Sequence, residues 1–190
     1  MGEPCYTKRL DEAIALATDA FRDKVRKGSG IPYLTHLLQV MVYVAEHGGD
    51  EDQMIAAVLH DYLEDIEGAE ADDLEARFGA HVRQMVEALS DATGQPKPPW
   101  QERKVSYLER LRGEHADVKL VCAADKLHNA RSVRRDFARV GVRVFDRFTA
   151  SKEQTLWYYR SVVEALSDGW SHPLLDELVS EVDALLAEAE

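Results

Sequence analysis

Cysteine is scarce in this 190-residue chain: Cys5 and Cys122 are the only two, and no CxxC pair exists. A reducing, cytoplasmic compartment is therefore the expectation. Cys122, inside "KLVCAADKL", reads as a buried thiol. Positive charge is also short, with 23 Lys and Arg against 35 Asp and Glu and a formal net charge of −12. A general DNA or RNA binder normally carries a basic field, so that class is disfavoured. A small anion can still be held by a local basic patch or a metal. No apolar run approaches the roughly 18 residues of a membrane span, and "MGEPCYTKRLDEA" has no apolar core of an export signal. Neither export nor a membrane span is expected. Alternating strands, internal repeats and low-complexity segments are absent as well.

What remains is globular and helical. Hydrophobic residues make up 45% and charged residues 31%, enough to bury a core. From Thr7 to Lys27, Leu10, Ile14, Ala17 and Phe21 recur at helical intervals. Gly28, Ser29 and Gly30 break the pattern, and Pro32 suits the first turn of a second helix bearing Leu37, Val40, Met41 and Val44. Asp50 can cap the third helix, and Asp72 or Asp73 a short one ending near "RFG". After "AHVRQMVEALSDA" comes the clearest loop, "TGQPKPPW". Helices are predicted near 99–112, 116–136, 149–167 and 172–188. The reading is one all-α domain over 1–190, a bundle of roughly eight to ten helices.

The third helix runs apolar through "MIAAVL" and then into "HDYLEDIEG". A His-Asp pair means little: about 0.6 are expected by chance at this composition. Requiring Glu and Asp at the third and fourth places after the Asp lowers that to about 0.005. On a helix Glu64 lies one turn beyond His60 and Asp65 one turn beyond Asp61, about 6 Å along the axis. If His60 and Asp61 bind a divalent metal, Glu64 and Asp65 fall where they can orient or deprotonate a bound water. The plainer alternative is that Glu64, Asp65 and Glu67 solvate a helix end while His60 sits in the core. Acids at a helix C-terminus oppose the macrodipole, which favours a functional reason.

A metal needs further ligands. His36 begins the second helix, and Asp125 stands in the otherwise apolar "KLVCAADKL". A buried aspartate needs a partner or a metal; a salt bridge to Lys126 or Arg131 is the alternative. Two imidazoles and two carboxylates suit Mn²⁺, Fe²⁺ or Zn²⁺, and a carboxylate-rich, water-bearing site favours Mn²⁺. His47, His81, His115, His128 and His172 lack this setting and read as surface or packing residues. Arg22, Lys24, Arg26 and Lys27, or Lys126, Arg131, Arg134 and Arg135, can hold phosphates, against a solvated charged face.

The ordered strings "RKGSGIPYLTH", "AAVLHDYLEDIEG", "FGAHVRQMVEALSD" and "KLVCAADKLHNARS" resemble the hydrolase domain of Rel/SpoT-type alarmone enzymes, a branch of the HD-domain phosphohydrolases. The resemblance runs from about residue 8 to 136; the C-terminal helices are less diagnostic. It implies an all-α HD-domain bundle, one bound Mn²⁺, and removal of the 3′-pyrophosphate of guanosine tetra- or pentaphosphate. By motif it makes His36, His60, Asp61 and Asp125 metal ligands. Glu64 and Asp65 become the pair acting on water; Arg26, Lys27 and Asn129 contact the nucleotide. Tyr33 is expected to pack rather than stack on guanine.

The sequence departs from the family at Leu37, where relatives carry proline, at Tyr62 and Leu63 between the paired acids, and in the proline-rich segment after residue 92. Tyr62 is the expected source of an altered pocket and substrate. Competing readings keep the site for another nucleotide (NADPH, nucleoside phosphates or pyrophosphorylated RNA ends), or make the chain a non-catalytic nucleotide sensor. A homo-oligomer or a toxin partner is left open.

Overall fold

The computed structural model describes residues 6–91 and 98–189. The helices are α1 (Lys8–Ala20), α2 (Leu34–Glu46), α3 (Glu51–Leu59), α4 (Tyr62–Asp65), α5 (Ala71–Phe78), α6 (Ala80–Leu89), α7 (Trp100–Gly113), α8 (Ala116–Val140), α9 (Lys152–Ser167) and α10 (Pro173–Ala189). A 3₁₀ segment, Gly141–Arg147, joins α8 to α9. Among the described residues no strand forms; one isolated bridge links Val25 and Pro32. The all-α expectation holds.

α8 organises the molecule. Its stretch from Val118 to Asp125 is buried on every side, and α2, α3, α6, α9 and α10 pack around it. α3 lies nearly as deep, with Ile55 to Leu59 fully buried. Polar side chains on these two deep elements can therefore be buried and still face one another, as His60 and Asp125 do.

Local chemistry sets the starts. Asp50 caps α3 in a capping box with Gln53, as its position suggests. At α5 the N-cap is Glu70; Asp72 and Asp73 lie in the first turn, where their charge favours the helix dipole.

Two expectations are corrected. The first helix does not reach Lys27: it stops at Ala20. Residues 24–33 instead form a closed loop, held by Arg26 N–H to Ile31 O (2.8 Å) and Tyr33 N–H to Lys24 O (2.9 Å). Gly28, at φ +79°, lies over Arg147, and a Cβ there would meet Arg147 Cδ at 2.7 Å. The third helix is not continuous through the acidic string either. α3 ends at Leu59, Asp61 has ψ near 3°, and a separate turn begins at Tyr62. "TGQPKPPW" falls largely outside the described residues.

Candidate functional site

His36 lies in the first turn of α2, His60 and Asp61 at the break after α3, and Asp125 midway along α8. The packing brings them together. His36 Nε2 is 3.2 Å from Asp125 Oδ1 and 3.9 Å from Asp61 Oδ2. His60 Nε2 is 3.1 Å from Asp61 Oδ2 and 3.6 Å from Asp125 Oδ1. Among the described residues, His36, His60 and Asp125 offer ligand atoms that all lie within 4.8 Å of one another.

The direction of His60 is the test of metal fit. Its Nδ1 donates to Ala57 O at 2.7 Å, while its buried Nε2 makes no hydrogen bond despite two carboxylates nearby. That nitrogen lies within 3.6 Å of both Asp61 Oδ2 and Asp125 Oδ1, where a cation could replace its proton. The donor set of two His and two Asp fits a divalent first-row metal.

Proton energetics agree. Burial would lower the pKa of His60, and Asp61 and Asp125 outweigh it, raising it well above the histidine range. Burial dominates at His36 and lowers it, although Asp125 opposes this. Burial would raise Asp125, but Lys126, His36 and His60 pull it well below the carboxylate range. Asp61 is likewise depressed against its burial, mainly by His60. Without a metal, the Asp61 and Asp125 carboxylates are balanced by the Lys126 ammonium and a protonated His60, so His60 must give up its proton for a cation to take its place.

Supporting contacts extend outward. Tyr33 Oη donates to Asp61 Oδ2 at 2.6 Å, and its ring stacks on Phe21 with centroids 5.5 Å apart. Tyr33 packs as expected and also holds the Asp61 carboxylate. Asn129 Nδ2 donates to Asp125 Oδ1 at 2.5 Å, and Arg26 Nη2 donates to Asn129 Oδ1 at 2.8 Å. Asn129, expected to contact the nucleotide, is thus tied to Asp125 and Arg26. Lys126 Nζ is 2.5 Å from Asp125 Oδ2, so the salt-bridge alternative for Asp125 is realised beside the metal-ligand geometry. Arg131 does not join it.

A cavity of about 850 Å³ opens over the cluster. Its walls include Arg26, Lys27, His60, Glu64, Asp65 and Asn129. The Asp65 carbonyl accepts from Lys24 Nζ at 2.6 Å. Tyr62 does not line this cavity. It packs against the hydrophobic core, so its expected role in shaping the pocket is corrected. Arg131 and Arg134 also leave the phosphate-binding candidates: they pair with Glu177, Glu181 and Glu188 of α10.

The sequence reads His128 as a surface or packing residue, and the structure places it against the cluster. Its Nδ1 is 2.6 Å from His36 Nδ1. Burial, then His36 and Arg26, push its pKa down to about 3. The available signal was its spacing: His128 is three residues from Asp125 and so returns to nearly the same helix face.

The HD domain family matches residues 13–156. Mouse (Mus musculus) guanosine-3′,5′-bis(diphosphate) 3′-pyrophosphohydrolase MESH1 is 36% identical over 130 residues, covering 67% of this chain and 70% of that protein. The bifunctional (p)ppGpp synthase/hydrolase SpoT of Escherichia coli K12 is 34% identical over 132 residues, 66% of this chain and 18% of SpoT. Among solved structures, a metazoan ortholog of SpoT described as hydrolysing ppGpp superposes with TM-score 0.77 at 24% identity, covering 98% of this chain and 97% of that one. A Listeria monocytogenes EGD-e protein gives TM-score 0.72 at 28% identity, over 80% and 99% of the two chains. By family match and by the relatives' identity and coverage, this chain belongs to the HD-domain family and is a homologue of the MESH1 and SpoT hydrolases.

Proposed function

We propose that the protein is a cytoplasmic, Mn²⁺-dependent hydrolase of guanosine tetra- and pentaphosphate, releasing pyrophosphate from the 3′ position to leave GDP or GTP. The observation that carries this reading is the orphaned His60 Nε2, aimed between two carboxylates at the base of a cavity with basic walls. The names of the MESH1 and SpoT relatives supply the substrate. Fe²⁺ and Zn²⁺ suit the donor set less well than Mn²⁺ because the site is carboxylate-rich.

His36, His60, Asp61 and Asp125 would hold the metal, which supplies a lowered water pKa and charge neutralisation at phosphorus. Glu64 and Asp65 orient the attacking water and accept its proton. The water oxygen bonds to the 3′ phosphorus; the bond from that phosphorus to the 3′ oxygen breaks, and the 3′ oxygen gains a proton. Arg26 and Lys27 hold the nucleoside end. Tyr33 keeps Asp61 in place, and Asn129 links Asp125 to Arg26.

Purified protein incubated with Mn²⁺ and guanosine tetraphosphate should yield GDP and pyrophosphate, and Asp61→Ala should abolish both products. Unchanged substrate with fully metallated wild-type protein would sink the proposal.

A further inference from the structure

The two acids assigned to the attacking water stand on the shortest helix of the fold. α4 is one turn, Tyr62–Asp65, with Asp61 as its N-cap and Ile66, extended at ψ 121°, as its C-cap. Its closing hydrogen bonds run from Asp65 N–H to Asp61 O at 2.9 Å and from Ile66 N–H to Tyr62 O at 3.1 Å. A single turn fixes many dihedrals for few hydrogen bonds and does not hold its shape alone. Yet Glu64 and Asp65 need a fixed place, because a general base must come within about 2.6–3.2 Å of the atom it deprotonates. Something outside α4 has to supply that precision.

The loop after α1 holds the turn at both ends. At one end Tyr33 Oη donates to Asp61 Oδ2 at 2.6 Å. At the other end Lys24 Nζ donates to Asp65 O at 2.6 Å, across 41 residues of sequence. The chain leaves the helix at Ile66, so the last carbonyls of the turn have no further helical N–H to accept from. The two gripping residues are themselves joined, Tyr33 N–H to Lys24 O at 2.9 Å, and Arg26 N–H to Ile31 O closes the loop between them. One hydrogen-bonded frame therefore spans α4 from its cap to its last residue.

Lys24, Arg26 and Lys27 all line the cavity, and by charge alone all three suit phosphate. Lys24 differs in what its ammonium does. Arg26 turns its guanidinium to Asn129 Oδ1 and to the Tyr33 ring, whereas Lys24 bonds the backbone of the acid-bearing turn. An ionised donor makes this bond stronger than a neutral one. It fixes main chain rather than a rotamer, so it acts on Glu64 and Asp65 together.

We infer that Lys24 is a positioning residue for the hydrolysis: by gripping Asp65 O it sets Glu64 and Asp65 over the His60–Asp61 break, where they meet the attacking water. This rests on the proposed reaction. Because Arg26 and Lys27 stand on the same loop, nucleotide binding and the placement of the two acids share one frame.

The test compares Mn²⁺-loaded, full-length protein with Lys24→Met, which keeps the stem and loses the donor, and Lys24→Arg, which keeps a charged donor. One reading is steady-state hydrolysis of guanosine tetraphosphate. The other is hydrogen exchange over residues 61–69 without nucleotide, followed by mass spectrometry. Metal content and thermal unfolding matching wild type establish that each variant is folded and loaded. Lys24→Met should lower kcat by about tenfold or more, leave KM within about twofold, and speed exchange in that segment. Lys24→Arg should recover most of both. A raised KM with wild-type kcat would overturn the inference and make Lys24 a phosphate contact. Faster exchange with wild-type kcat would overturn it as well, leaving Lys24 a brace with no bearing on the reaction. Wild-type exchange and kinetics in Lys24→Met would remove the grip altogether. Wild-type protein that leaves guanosine tetraphosphate intact, while Lys24→Met still speeds exchange, would overturn the proposed reaction and the positioning role with it, and sustain the grip alone.

Discussion

His128 governs how firmly His36 can be held. With Nε2 of His36 turned to the carboxylates, its Nδ1 carries the proton and donates to His128 Nδ1 at 2.6 Å; this tautomer is assigned from the hydrogen-bond network. His128 can accept because burial keeps it neutral. Replacing His128 by Phe leaves a buried N–H without an acceptor and frees the His36 ring to turn. Metal affinity should fall about 10- to 100-fold, as read by metal titration, with His128→Gln retaining more of it than Phe. Equal affinity in wild type and His128→Phe would show that His36 needs no brace. The four proposed ligands were legible because two histidines and two aspartates interrupt otherwise apolar stretches. His128 was not, since its role comes from α2 lying across α8, 92 residues away in sequence.

At the scale of elements, the loop after α1 positions Arg26, and Gly28 lets it close over Arg147. Gly28→Ala faces both the +79° φ and the 2.7 Å approach to Arg147 Cδ. It should cost about 1–2 kcal/mol or more in urea unfolding and raise the KM for the nucleotide, because the Arg26–Asn129 link shifts. A variant with wild-type midpoint and KM would show that the loop is not constrained by Arg147. The capping box of α3 gives a cleaner stability change: Asp50→Ala should lower unfolding free energy by about 1 kcal/mol without moving the ligands. Periodicity and caps foretold most helices. They did not foretell the break at His60 and Asp61, because the apolar pattern runs on through Leu63 while Asp61 is held from across the fold by Tyr33 and the His60 ring turns back to Ala57 O, three residues earlier. Nor did they foretell the end of α1, since Phe21 fits the helical repeat yet serves as its cap.

Across the whole molecule, charges that look alike in sequence are sorted by distant partners. Arg131 and Arg134 bind acids of α10 that lie 46 and 47–54 residues away. Lys126 and Arg26 face the cavity instead. The fold thus spends ordinary surface pairs on holding α10 to α8 and gathers buried acids, imidazoles and one lysine in the cluster. That clustering has a global consequence. A ligand that binds only the folded state stabilises it by about 2.7 kcal/mol at a hundred times its dissociation constant. For a chain of this size, that amounts to a rise in Tm of roughly 5–10 °C. The rise should depend on pH with a definite sign. In metal-free protein His60 has a raised pKa, so its proton stabilises the fold below the unfolded histidine pKa, and this contribution is lost as pH rises through the folded value. His36 is lowered, so its contribution runs the other way, being complete above the unfolded pKa and lost as pH falls below it. Metal binding requires both imidazoles unprotonated and so displaces the His60 proton. The gain in Tm on adding Mn²⁺ should therefore grow between pH 5.5 and pH 8, and Asp61→Ala should shrink it at every pH. Scanning calorimetry across that range checks both, and a gain independent of pH would place the metal away from these histidines.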